Sequence, residues 1–165
     1  MAEGRRLDEG EQFEARGRYT VIPRTLVFLR HGGDVLLLKG APTKRLWANR
    51  YNGLGGQVEP GETIEAAARR EVREEAGIAE ITDLALRALV NLAGEPHGVL
   101  LCVFTGAAPT RAVAPSAEGV PEWIPVADLA RVDLVDDPAV VARILASDRL
   151  LYGYRPAGAA RFVLE

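Results

Sequence analysis

A glycine-rich loop runs without interruption into a helix that carries three glutamates on one face: Gly56-Gln57-Val58-Glu59-Pro60-Gly61-Glu62-Thr63, then Ile64-Glu65-Ala66-Ala67-Ala68-Arg69-Arg70-Glu71-Val72-Arg73-Glu74-Glu75-Ala76-Gly77-Ile78. The pattern predicts a helix over 63–76. Thr63 is suited to cap its start, Ala66, Ala67 and Ala68 are strong helix formers, and Gly77 stands where a left-handed cap ends a helix. Ile64, Ala68 and Val72 recur every four residues and predict an apolar stripe. Glu71, Glu74 and Glu75 fall at i, i+3 and i+4, so their carboxylates gather on one side. Like charges at that spacing destabilise a helix by roughly a few tenths of a kcal/mol per pair, a repulsion that a hard cation relieves. Magnesium prefers oxygen ligands and keeps several waters, which suits a few carboxylates plus a substrate phosphate. The plainer alternative is a solvated, charge-rich helix in which Arg70 and Arg73 offset the glutamates. The glycines preceding it, Gly53, Gly55, Gly56 and Gly61, favour the metal reading, because they let a backbone carbonyl approach an ion closely.

The same segment resembles the signature of the Nudix hydrolases, G-x5-E-x7-R-E-U-x-E-E-x-G-U with U aliphatic. Gly56, Glu62, Arg70, Glu71, Val72, Glu74, Glu75, Gly77 and Ile78 fill every fixed position. The resemblance implies an α/β fold, an α/β/α sandwich with a mixed β-sheet. It implies Mg2+ or Mn2+ held by Glu71, Glu74 and Glu75 with the carbonyl of Gly56 as an extra ligand. Glu62 and Arg70 resemble the pair that braces the loop against the helix. The implied reaction is attack of water on a phosphorus in a diphosphate linkage, aided by metal and by a base. Glu71 is the first choice for that base and Glu75 the second.

The flanks extend the likeness. Arg50-Tyr51-Asn52-Gly53-Leu54-Gly55-Gly56 resembles the strand entering the signature in animal-type MutT homologues, which cleave oxidised purine nucleoside triphosphates. By that resemblance Asn52 belongs to the base pocket, and Glu118 is a further catalytic and metal-binding glutamate. Asp136 and Asp137 correspond to a pair of aspartates that read the purine edge, and Gly153-Tyr154 echoes a late Gly-Tyr in those chains. Repulsion between two adjacent carboxyls, with partial burial, raises at least one pKa, so that one can stay protonated and donate while the other accepts. The alternative for Asp136-Asp137-Pro138 is the acidic start of a helix. The related enzymes place a stacking tryptophan two residues before the aspartates, where this chain has Leu134; Trp47 or Tyr51 is the substitute expected to stack. Lys39 is read either as a phosphate contact or as a solvated lysine.

At 165 residues the chain fits one domain, here 18–165, preceded by a polar, charge-mixed tail over 1–17. A net charge of -3 gives no sign of nucleic-acid-polymer binding. No apolar run approaches the roughly 20 residues that span a membrane, and no apolar segment follows the first residues as in a secretory signal. The single cysteine, Cys102, excludes an internal disulfide. It fits a reducing cytoplasm, and its apolar neighbours point to packing. Strands are predicted over 19–29, 35–39, 84–93, 99–104, 120–124 and 159–164. Residues 40–52 and 106–118 are expected as loops, 125–130 as one or two helical turns, and 138–146 as a second helix. The expectation is a nucleotide-binding enzyme, a monomer or homodimer, that cleaves a nucleoside triphosphate to monophosphate and pyrophosphate, with 8-oxo-dGTP or other oxidised purine nucleotides as candidates. The competing readings are a hydrolase of ADP-ribose or a dinucleoside polyphosphate, and a nucleotide-binding module without turnover. A Nudix-type isomerase would need a cysteine placed for proton transfer, which Cys102 is not.

Overall fold

The computed structural model describes residues 17–156 and 158–165. The expected tail therefore lies outside the described residues, apart from Gly17. The elements in chain order are β1 (Val21–His31), β2 (Asp34–Gly40), β3 (Tyr51–Asn52), α1 (Ile64–Ala76), β4 (Thr82–Leu92), β5 (Gly98–Ala107), β6 (Gly119–Pro125), a 3-10 helix (Val126–Arg131), α2 (Pro138–Ala146), β7 (Leu151–Arg155) and β8 (Val163–Leu164). One mixed sheet joins all eight strands in the order β3-β2-β1-β5-β4-β7-β8, with β6 along β2. β1 runs parallel to β5 and β4 parallel to β7, and the remaining pairs are antiparallel.

Strand alternation divides the apolar residues between two cores. Leu26, Phe28, Val35, Leu37 and Val103 point to one face and pack with Val141, Ile144 and Leu145 of α2 and with Leu129 of the 3-10 helix. Val27, Leu29, Leu36, Leu38, Cys102 and Phe104 point to the other and pack against Ala68, Val72 and Ala76 of α1. The result is the expected α/β/α sandwich. Cys102 is fully buried in the second core.

The sheet is forked where the site forms. β1 and β2 pair only between Leu29–Leu36 and His31–Asp34. Beyond that they part, and residues 51–57 enter the gap. Asn52 and Tyr51 pair with Leu38 and Lys39 of β2, while Leu54 and Gln57 bridge to Val27 and Arg24 of β1. Backbone bonds from Thr25 N to Gly56 O (2.8 Å) and from Val27 N to Leu54 O (2.6 Å) tie the glycine segment to β1.

Several expectations are corrected. Ile64 is not part of the buried stripe: it is 38% exposed, and the buried face of α1 is Ala67, Ala68, Val72, Glu75 and Ala76. Residues 40–52 are not all loop, since β3 closes them. β5 continues to Ala107, three residues past its expected end. The closing strand covers only Val163–Leu164, and β7 was not foreseen.

Candidate active site

Helix α1 places the acidic side chains. The Thr63 hydroxyl accepts from Ala66 N (3.1 Å) at its start. Gly77 adopts φ 72° at its end and donates its N–H to Arg73 O. Glu75 turns inward with Val72 and is 5% exposed. Its Oε2 accepts the N–H of Gly55 (2.8 Å). Burial first, then the charges of Glu71 and Glu118, push its carboxyl up to about 7, against the lowering effects of the Gly55 bond and of Lys44.

Arg70 organises the opposite side. Its Nε and Nη2 donate to the two Glu62 oxygens (3.2 and 2.8 Å), and Nη2 also donates to Gln57 O (3.0 Å). Nη1 donates to Glu71 Oε1 (2.9 Å) and to Glu74 Oε2 (3.2 Å). Glu62 in turn accepts from Glu59 N (2.7 Å). The Arg70 bond, then the Glu59 bond, hold the Glu62 carboxyl below the usual range, and the bonds to Glu62 and Glu71 raise the Arg70 guanidinium.

Gly56 lies directly against Glu71: a Cβ built there would fall on the carboxylate, with Oε1 nearest. Across the cleft, Lys44 pairs with Glu118 Oε2 (2.6 Å). Glu71, Glu74, Glu75, Glu118, Lys44, Arg70, Gly55 and Gly56 line one open cleft of about 650 Å³. Among the described residues no three acidic, histidine or cysteine side chains converge tightly enough to hold an ion. The carboxylates are spaced instead by their basic partners, Arg70 between Glu71 and Glu74, and Lys44 on Glu118. The donor set still fits a hard divalent cation. It is made of oxygens, it carries excess negative charge, and the missing side chain at Gly56 leaves its backbone open to the Glu71 carboxylate.

A second cavity of about 440 Å³ adjoins this cleft and shares Arg24, Lys44, Gly55 and Glu75 with it. Asn52, Trp47 and Asp136 line it, with Leu46, Phe162 and Arg155. Asn52 Oδ1 accepts from Gly53 N (2.9 Å). Asp136 is brought here because the chain before it is bound to β3: Tyr51 N donates to Asp133 O and Val135 N to Tyr51 O (both 2.9 Å). Arg50 adds a bond from Nη2 to Leu134 O (2.6 Å). Burial pushes the Asp136 carboxyl up to about 6, against Arg155, Arg161 and Arg50.

The other sequence-derived candidates stand elsewhere. Asp137 lines neither cavity; its Oδ1 caps α2 by accepting from Ala139 N (2.8 Å), and Oδ2 lies 3.5 Å from Arg161. The aspartates thus divide the two readings, Asp136 in the cavity and Asp137 as the helix cap. Lys39 also lines neither cavity, and its Nζ sits 5.5 Å from the centre of the Tyr51 ring. Tyr51 lines neither cavity and packs against the first core; its hydroxyl donates to Glu122 Oε2 (2.8 Å), and burial and that contact raise it to about 12. Leu134, at the tryptophan position, is 4% exposed within the core. Sequence reasoning missed Lys44, Arg24, Arg155 and Phe162. Lys44 carried one signal, a basic residue in a loop next to the signature. The others gave none, because Arg24 and Arg155 reach the cavity through strand pairing and Phe162 through its place just before β8.

The family model of the NUDIX domain matches residues 21–144. The chain is 29% identical over 131 residues to the oxidized purine nucleoside triphosphate hydrolase of Mus musculus, covering 79% of this chain and 83% of that one. It is 50% identical over 54 residues to the protein of the same name from Danio rerio, a match that spans only a third of that relative's length. A solved MutT protein from Bacillus halodurans is 25% identical with a TM-score of 0.70, covering 81% of this chain and 88% of that one.

Proposed function

The chain belongs to the NUDIX domain family, hydrolases acting on pyrophosphate bonds of nucleoside derivatives, and from that premise we propose that it cleaves a purine nucleoside triphosphate to monophosphate and pyrophosphate. Oxidised purine nucleotides such as 8-oxo-dGTP are the leading substrate class. One observation carries the reading. An acidic cleft sized for a metal-bound polyphosphate opens, at Lys44, Gly55 and Glu75, into a half-apolar chamber holding Asn52, Asp136 and Trp47. A nucleotide has the same division into a charged end and a flat, partly apolar end.

Glu71, Glu74 and Glu75, with the Gly56 backbone and Glu118, would hold Mg2+ or Mn2+. When bound, such an ion neutralises phosphate oxygens and makes water more acidic. The residues of the chain do the remaining work. Arg70 fixes the Glu71 and Glu74 carboxylates through one nitrogen while Glu62 fixes Arg70. Glu71 or Glu75, the two enclosed carboxylates, takes the proton from the attacking water. Lys44, placed between the cleft and the chamber, is free to exchange Glu118 for a substrate phosphate. Trp47 and Phe162 supply apolar surface to a base, and Asn52 and Asp136 supply its polar partners.

The test is a substrate panel with Mg2+: ordinary and oxidised nucleoside triphosphates, ADP-ribose and dinucleoside polyphosphates, with pyrophosphate and phosphate measured separately. Release of pyrophosphate from triphosphates, with 8-oxo-dGTP preferred over dGTP, is the expected outcome. Turnover confined to ADP-ribose or dinucleoside polyphosphates would replace the reading, and an inert panel would leave a binding module.

A further inference from the structure

Arg155 reaches the nucleobase chamber from a part of the chain that the family match does not include. The match ends at 144, yet Arg155 and Phe162 both line the chamber. Alternation along β7 explains how. Leu151 is buried in the core beneath α2, and Arg155, four residues on, shares its face and is partly buried. Tyr152 and Tyr154 are exposed on the opposite face. The register partner of Arg155 on β4 is Leu92, which also lines the chamber. Asp136 lies close enough to feel the charge of Arg155.

The polar groups facing this space are rich in donors. Arg155 offers only N–H groups. Asn52 has its carbonyl oxygen committed to Gly53 N, so its amide NH2 is what it can turn to a ligand. Asp136 supplies the acceptor. A guanidinium pairs with a carbonyl acceptor such as O6 of guanine, which the 8-oxidised base keeps although its N7 becomes a donor. Adenine presents an amino group at the C6 position, and a donor opposite a donor leaves both unpaired. We propose that Arg155 is a specificity-determining residue that selects purines carrying an oxygen at C6 over those carrying an amino group. This rests on the reading that the chamber takes a nucleobase. The expected discrimination is about tenfold to a hundredfold, the usual yield of one hydrogen bond from a charged group.

The experiment separates base choice from turnover. Binding of GMP and AMP to wild type, Arg155→Met and Arg155→Lys is measured by calorimetry, beside kcat and KM for dGTP, 8-oxo-dGTP, dATP and 2-oxo-dATP. Wild type should favour GMP and the 6-oxo triphosphates. Arg155→Met should reduce that preference at least tenfold, with the loss in KM rather than kcat, because the base is remote from the reacting phosphorus. Arg155→Lys, which keeps the charge but not the planar fork, should restore part of it and serves as the check on folding. Equal binding of GMP and AMP by wild type, or a preference that survives Arg155→Met, overturns the proposal. If no triphosphate is cleaved but the GMP preference exists and depends on Arg155, the functional reading falls and this inference stands.

Discussion

Gly55 and Gly56 are neighbours with opposite duties. Gly55 adopts φ 145°, and a Cβ there would strike the carbonyl oxygen of Thr25 in β1; at Gly56 the Cβ would strike the Glu71 carboxylate. Gly55→Ala should therefore cost stability, more than about 2 kcal/mol by denaturant unfolding, since the obstruction is sheet backbone. Gly56→Ala should unfold near the wild-type midpoint yet lose at least about a hundredfold in kcat, since what must move is the Glu71 carboxylate, to which the proposed function gives a catalytic role. Asp136 makes a pH-dependent prediction. Its carboxyl is raised from 3.8 to about 6, so the folded state binds its proton more tightly than the unfolded chain does. That stability is present below pH 4 and is lost as the pH rises through 6, an effect on the order of 3 kcal/mol. Asp136→Asn, which mimics the neutral form, should melt above wild type at pH 7.5, and the gap should close toward pH 4 in thermal melts.

Helix α1 was legible in the sequence almost to the residue, because its caps and its end are local chemistry. Thr63 and Gly77 act through bonds to residues three or four positions away. The same locality gives a prediction: Thr63→Ala should lower stability by about 1 kcal/mol while kcat stays unchanged, as read from denaturant midpoints and initial rates. The stripe was less legible. A four-residue repeat from Ile64 suggested the wrong edge, and the true inner face includes Glu75, a carboxylate that pattern rules assign to solvent. Strand β7 was hidden because Gly153 interrupts five residues that gain their pairing from β4 and β8. The split roles of Asp136 and Asp137 were hidden for a related reason. One adjacent carboxylate finds its own helix N–H, and the other is directed by β3, more than eighty residues away in the chain.

The whole molecule joins two cores, a forked sheet and two adjoining cavities, so what binds the acidic cleft should be felt globally. Among the described residues no helix is long and apolar enough to cross a membrane. Ligation of Mn2+ or Mg2+ by the folded form alone would add about 2.7 kcal/mol at a hundred times Kd. Calorimetric scans should accordingly show Tm rising with added Mn2+, falling back with EDTA, and insensitive to the ion in Glu71→Gln. The fork in the sheet carries a further consequence. Residues 54–56 are glycine-rich, yet they are bonded on one side to Thr25 and Val27 and on the other to Glu75. The segment that the proposed function sets beside the scissile anhydride is therefore preorganised, and under that reading no substrate affinity is consumed in ordering it. Deuterium uptake at the amides of Leu54 and Gly55 in the nucleotide-free protein should be as slow as in the middle of β5, and unchanged when ligand arrives.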